Sequence, residues 1–307
     1  MRLLMLGAGG VGGYFGARLH EGDADVTFLV RPKRAALLRE RGLRIYGVRG
    51  ELHVKEPKLL VSGEHSNQTF DAVIVSCKAY DLDNSIDAIR PFVGPQTMVL
   101  PLLNGMKHLD SLDAAFGAQR VLGGLAQVST TVDANGDIKQ FTEVQNIFFG
   151  VRNEIQEAAA EALERALQQG NFESRLSRNI LMEMWEKFVM LTSLAAMTCL
   201  MRANVGEIAA TQDGAKLMSR MLDDCTAVAK AAGHPPREKF LQSIRALLTQ
   251  IGSPLEASMR RDLEAGGRTE GDHIVGDMLR RANDYGIESL LLSAAYVHLQ
   301  AHEMRKK

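Results

Sequence analysis

The sequence predicts an α/β fold: an amino-terminal domain built on a parallel sheet, then an all-helical carboxyl-terminal domain. Three observations predict it. A glycine-rich turn, Gly7-Ala8-Gly9-Gly10-Val11-Gly12, joins an apolar run to a helical stretch. Short, near-continuous apolar runs then recur, as expected of parallel strands covered on both faces. Beyond about residue 177 strand signals stop, and apolar residues follow three- and four-residue steps. The domains are therefore read as 1–175 and 176–307.

Taken in order, Arg2-Leu3-Leu4-Met5-Leu6 reads as a buried strand, and Tyr14 to Leu19 as helix. The intervening G-x-G-x-x-G thus has the strand-turn-helix context of a Rossmann-type dinucleotide fingerprint. Gly7 suits a tight turn, Gly9 a close approach to a pyrophosphate, and Gly12 close helix-strand packing. The first helical N–H groups lack intrahelical partners and are expected to face phosphates. Residues 25–30 form a second strand, and Arg31-Pro32-Lys33-Arg34 follows it. Residues 33–41 are helical, and 43–46 with 51–54 alternate like a hairpin. Residues 71–76 and 97–103 are further buried strands, separated by a helix over 82–90. Residues 121–151 alternate strands and turns, with a hairpin turn at 133–137. A helix over 154–168 and an edge strand near 171–175 end the domain. Helices are expected over 179–201, 213–232, 237–251, 254–264, 270–285 and 288–305. Ser253-Pro254-Leu255-Glu256 and Thr269-Glu270-Gly271-Asp272 have the spacing of capping boxes.

Composition excludes several classes. Apolar residues make 46% and charged residues 24% of the chain, ordinary values for a globular protein. A net charge of −1 gives no reason to expect nucleic acid or an anionic membrane. No run of eighteen apolar residues exists, so no membrane span is expected. The amino terminus lacks a secretion pattern, and a cytoplasmic location is the default expectation. Cys77, Cys199 and Cys225 are dispersed, which fits reduced thiols and neither a disulfide frame nor a metal site. His298 and His302 share a helical face but lack a third ligand nearby in sequence, and no metal is expected.

The cofactor is read from the end of the second strand. An NAD site usually carries Asp or Glu there, for the ribose 2′-hydroxyl. This chain has Arg31, whose guanidinium can grip a 2′-phosphate, so NADP(H) is expected. Lys78 and Asn104 lie past the carboxyl ends of strands, where ligands collect in open α/β sheets. From position alone, each is equally an ordinary loop residue.

A nicotinamide delivers hydride, and reducing a ketone then calls for a general acid. Ile180, Met184, Lys187, Leu191, Leu194 and Thr198 share one helical face, which puts Lys187 on an apolar stripe. Desolvation there lowers an ammonium's pKa toward neutrality. Glu183, four residues earlier, offers the alternative of a plain helix ion pair. Glu270 in a first helical turn suits the helix dipole with or without function. Ser258 is read four residues into its helix, where back-bonding to the backbone is one reading. Met- and Leu-rich helical faces suggest a homodimer.

Gly7-x-Gly9-x-x-Gly12, Arg31, Cys77-Lys78-Ala79, Asn104-Gly105-Met106, Trp185-Glu186-Lys187, Ser258-Met259-x-x-Asp262 and Arg268-Thr269-Glu270 occur in this order. By this series the chain resembles the ketopantoate reductase (2-dehydropantoate 2-reductase) family, from residue 1 to about 285. The resemblance implies an active site in a cleft between the two domains. It also implies reduction of 2-dehydropantoate to (R)-pantoate with NADPH, in pantothenate biosynthesis. By the same resemblance, Lys187 is the general acid, and Glu270 binds substrate or the cofactor ribose. Asn104 positions nicotinamide or substrate, Lys78 lies on the cofactor side, Arg31 holds the 2′-phosphate, and Ser258 contacts substrate. Ala8, Gly10 and Val11 complete the cofactor turn. The family usually carries asparagines four and eight residues after the lysine, where this chain has Leu191 and Ala195. Two rivals follow: a reductase of a more apolar 2-keto or 3-hydroxy acid, and a non-catalytic dinucleotide sensor.

Overall fold

The structure is a computed structural model that describes residues 1–305. Contacts divide it into two compact units. One contains Met1–Leu103 and His108–Ile180; the other contains Asn104–Lys107 and the chain from Leu181 onward. The division thus falls past the expected junction, and it gives the short Asn104–Lys107 segment to the helical unit.

The first unit opens with β1 (Arg2–Leu6), α1 (Gly10–Glu21), β2 (Asp25–Val30) and α2 (Pro32–Arg41). A hairpin, β3 (Leu43–Gly47) and β4 (Leu52–Val54), leads to β5 (Lys58–Val61). Then come β6 (Ala72–Val75), α3 (Leu82–Ile89), β7 (Met98–Pro101) and α4 (His108–Phe116). The unit closes with β8 (Gly123–Val132), β9 (Ile138–Gly150), α5 (Glu157–Leu167) and β10 (Glu173–Leu176).

Five strands form a parallel sheet in the order β5-β2-β1-β6-β7. Its central strand is the first in the chain, so the turn after β1 lies where the strand order reverses. That is the switch point at which α/β sheets bind ligands. Burial explains the apolar runs: Leu3, Leu4, Met5, Ala72, Val73, Ile74 and Val75 have no solvent exposure. A second sheet has the order β10-β9-β3-β4, with β8 antiparallel to β9. Helix α1 packs against both sheets through its glycines. A Cβ at Gly16 would stand 2.4 Å from the Phe28 ring, and one at Gly13 2.5 Å from Ile138 Cδ1.

The hairpin at 43–54 and the turn at 133–137 occur as the sequence predicts. β5 and α4 were not anticipated. β5 is four residues at a sheet edge, without the alternation that marks a strand. α4 buries His108, Leu109, Leu112 and Phe116, a helical spacing hidden directly after a turn.

From Leu181 on, the second unit holds α6 (Ile180–Met201), α7 (Val205–Ala209), α8 (Gly214–Ala231), α9 (Glu238–Leu248), α10 (Ser258–Glu264), α11 (Asp277–Asp284) and α12 (Leu290–Met304). A π-helical turn, Asp272–Gly276, leads into α11. α6 is apolar and long enough to cross a bilayer by composition, and 72% of its most apolar window is buried in the protein. It is a core helix.

One expected helix start and one expected capping box are corrected; the helix expected from residue 270 does begin there, at Gly271. Residues 253–256 do not open a helix: the carbonyls of Ser253 and Leu255 accept from the Gly206 and Val205 N–H groups, which keeps the segment out of helical conformation. α10 therefore begins at Ser258 after an Ala257 cap, and Ser258 is its first residue, too early for an i−4 back-bond. At 269–272 no Thr-Asp capping box forms. Glu303 of α12 accepts from both the N–H and the hydroxyl of Thr269 (2.7 and 2.9 Å). Asp272 instead accepts from Tyr296 (2.6 Å) and Arg280 (2.9 Å).

Candidate active site

The turn after β1 has the geometry its glycines imply. Gly7 has φ +89°, a conformation that favours glycine, and its N–H donates to Leu29 in β2 at 2.9 Å. A Cβ at Gly12 would lie 2.1 Å from Ser76 Oγ and 2.5 Å from the Gly7 carbonyl oxygen. Only glycine lets α1 come that close to the sheet. Gly9 caps α1 in extended backbone, and a Cβ there would meet no protein atom within 4 Å. Exposed backbone thus leads straight into a helix amino terminus, where N–H groups and the helix dipole suit an anion. These residues fit a dinucleotide diphosphate.

One side chain is hydrogen-bonded to this turn, and two more stand on the loops that follow the strands on either side of β1. Arg34 of α2 donates to the Ala8 carbonyl through Nε (3.1 Å) and Nη2 (2.7 Å), and to the Gly136 carbonyl through Nη1 (2.7 Å). It ties the glycine turn to the β8–β9 hairpin. Arg31, which caps α2, is exposed and pairs with Asp81 at 2.9 Å. Lys78 is exposed past β6, and its carbonyl accepts from the Asp81 N–H at 2.9 Å in a short 3-10 turn.

A second group gathers in the helical unit. Lys187 lies on α6, and burial pulls its pKa down from 10.5 to about 8, against the opposing charge of Glu270. Glu270 is buried and stands just before the π-helical turn, a geometry frequent at functional sites. His273, within that turn, is buried, and its ring is hydrogen-bonded to the Asn104 backbone. Burial lowers its pKa, while the Glu270 and Asp277 charges act in the opposite direction. Gly105 has φ +84°, and a Cβ there would stand 3.0 Å from the His273 ring. Asn104, Lys187 and Glu270 therefore share one unit although residue 104 is far from the others in sequence. Ser258 opens α10 and is exposed.

α6 itself differs from the expected one-sided stripe. It is buried round most of its circumference; Lys187, Met190 and Leu191 keep partial exposure in its middle, as do Leu181, Met182 and Glu183 in its first turn and Leu200 and Met201 at its end. Glu186, the neighbour of Lys187, is buried and takes three hydrogen bonds from Arg237, at 2.9, 2.8 and 2.5 Å. Asp81, Arg34 and His273 escaped sequence reading. For His273 a signal existed, since it lies three residues after Glu270, on the same side of a helix.

A parallel sheet with a glycine turn at its switch point, followed by a helical unit carrying a low-pKa lysine, defines the class of dinucleotide-dependent oxidoreductases. The comparisons with known proteins agree. Residues 3–154 match the family described as ketopantoate reductase PanE/ApbA, and residues 179–303 match its C-terminal domain. The chain belongs to the ketopantoate reductase family. It is 34% identical over 306 residues, all of both chains, to the uncharacterized oxidoreductase YkpB of Bacillus subtilis (strain 168). Among solved structures it resembles the 2-dehydropantoate 2-reductase of Geobacter metallireducens GS-15, with a TM-score of 0.87, 25% identity, and 98% and 99% of the two chains covered. It shares its fold with a D-mandelate dehydrogenase solved with NADH and anilino(oxo)acetate, with a TM-score of 0.89, 21% identity and 99% of each chain covered.

Proposed function

We propose that this protein reduces the ketone of a 2-keto acid with NADPH, and that the substrate is 2-dehydropantoate, giving (R)-pantoate for pantothenate biosynthesis. The observation that carries the reading is Lys187, an ammonium whose pKa burial lowers to about 8, beside the Glu270 carboxylate. Such a group holds a proton at neutral pH yet releases it readily. In this reading the Lys187 Nζ protonates the carbonyl oxygen as it becomes an alkoxide. Glu270 keeps that ammonium charged and accepts from a substrate or ribose hydroxyl. Asn104, held through its backbone by His273, orients substrate or nicotinamide amide. Ser258 contacts the substrate. The Gly7–Gly12 turn holds the diphosphate, Arg31 the 2′-phosphate, and Lys78 lies on the cofactor side. When bound, the reduced nicotinamide supplies the hydride.

One observation favours a second reading, a more apolar 2-keto or 3-hydroxy acid. Past Lys187 the partly exposed side of α6 presents Met190 and Leu191, with Ala195 on the next turn, and none of these side chains hydrogen-bonds a substrate hydroxyl. The deciding experiment is NADPH oxidation with a panel of keto acids. A clear preference for 2-dehydropantoate supports the first reading, and a preference for an apolar acid replaces it. No oxidation with any of them leaves a dinucleotide sensor. Lys187→Ala should abolish turnover and keep NADPH binding.

A cytoplasmic location and a homodimer belong to the same proposal. Three free thiols, two of them buried, support a reducing compartment. For the dimer the support is α12, which buries Leu292, Ala295 and Leu299 yet leaves Leu290 88%, Val297 62% and Met304 70% exposed. With Ala294 and Ala301 these residues step by four and three along one line, the spacing of a seam that packs on another helix. Glu288 lies at one end of this line and Arg305 at the other. An antiparallel second copy would oppose unlike charges and satisfy two-fold symmetry.

A further inference from the structure

The strand end that should carry a carboxylate for an NAD ribose carries Arg31, yet a carboxylate stands there in space. Asp81 reaches it from a different element. β2 and β6 flank β1 on opposite sides. Arg31 directly follows β2, and Asp81 ends the short turn after β6. Their 2.9 Å ion pair therefore spans the mouth of the β1–α1 turn. It joins the two loops between which the adenosine end of a dinucleotide is received at a switch point. The Arg31 side chain is 66% exposed and that of Asp81 25%, so the arginine is the more accessible partner and the acid the more enclosed one. Arg34 offers no substitute cation, because its guanidinium is spent on the Ala8 and Gly136 carbonyls.

We propose that Asp81 sets the cofactor preference of this protein. A 2′-phosphate has to take Arg31 from Asp81 and sits close to that carboxylate, which repels it. A 2′-hydroxyl meets no such cost, since Asp81 accepts its hydrogen bond while Arg31 stays paired. The protein thus uses both NADPH and NADH, with the preference for NADPH held down by Asp81. This inference rests on the reading of the glycine turn as a dinucleotide site.

The test is titration of the full chain with NADPH and with NADH, for the unmodified protein, Asp81→Asn, and Arg31→Ala/Asp81→Asn. Asp81→Asn keeps the shape and removes the charge. It should tighten NADPH about threefold to fivefold, the worth of an exposed ion pair, and weaken NADH by a similar factor. The NADPH-to-NADH preference should rise about tenfold. In the double variant the gain for NADPH should shrink, because no guanidinium is left to release. An unchanged or lowered preference in Asp81→Asn overturns the role of Asp81 while leaving the dinucleotide site standing. Failure of the unmodified protein to bind either nucleotide overturns the dinucleotide site itself, and this inference with it.

Discussion

The Glu270 carboxylate opposes the desolvation of the Lys187 ammonium within the helical unit. Burial and a like-sited negative charge pull the same pKa in opposite directions, and burial wins, leaving it at about 8. The lysine is thereby poised near neutrality, which neither group arranges alone.

A pH profile reads this balance. A proton donor must be protonated, so kcat/KM should be level below about pH 8 and fall above it. Glu270→Gln removes the charge that raises the pKa, so the fall should move to lower pH. A fall that stays in place, or moves up, contradicts the pairing. Stability carries the opposite sign. Between about 8 and 10.5 the unfolded chain holds the lysine proton that the folded chain has released, so stability should rise with pH across that window. Lys187→Met should flatten the rise, as thermal melts at several pH values would show.

Two alanines separate packing from ligand binding at the glycine turn. Gly12→Ala puts a methyl 2.1 Å from Ser76 Oγ and 2.5 Å from a backbone oxygen, and should cost about 1–3 kcal/mol of stability. Gly9→Ala meets no protein atom within 4 Å and should cost only the weaker helix cap that alanine makes, a smaller loss than in Gly12→Ala. It should nonetheless weaken NADPH sharply. Unaltered NADPH affinity in Gly9→Ala would remove the diphosphate from this turn.

Arg31→Ala tests the phosphate clamp from the other side of the Asp81 pair. Loss of a charge-assisted contact should weaken NADPH about tenfold or more, and NADH much less. Equal losses for both nucleotides would mean that Arg31 only holds the loop.

The exposed line on α12 makes assembly testable. Val297→Lys, on a residue already 62% exposed, should spare the fold and shift the protein to monomer in sedimentation or light-scattering measurements. An unmodified protein that is monomeric at high concentration would dismiss the seam.

Much of the architecture follows from sequence because its causes are local. Gly7 needs a positive φ, Gly12 needs the absence of a Cβ, and apolar runs or helical steps report which face is covered. Lys187 was legible for the same reason, as a charge set among apolar neighbours on one helix. Relations between distant segments were not. β5 has no periodicity of its own and exists because β2 offers an unpaired edge. The first turn of the helix expected over 254–264 gave way to backbone pairing with α7. Asp81 meets Arg31 only because the order β2-β1-β6 sets two loops on either side of one turn. Asn104 meets His273 only because residues 104–107 fold into the helical unit. By itself the sequence determined most of the strands and helices and the glycine turn, through preferences acting within a few residues. Which charges stand face to face was decided by the tertiary structure, since electrostatics acts through space and chain separation carries no record of it.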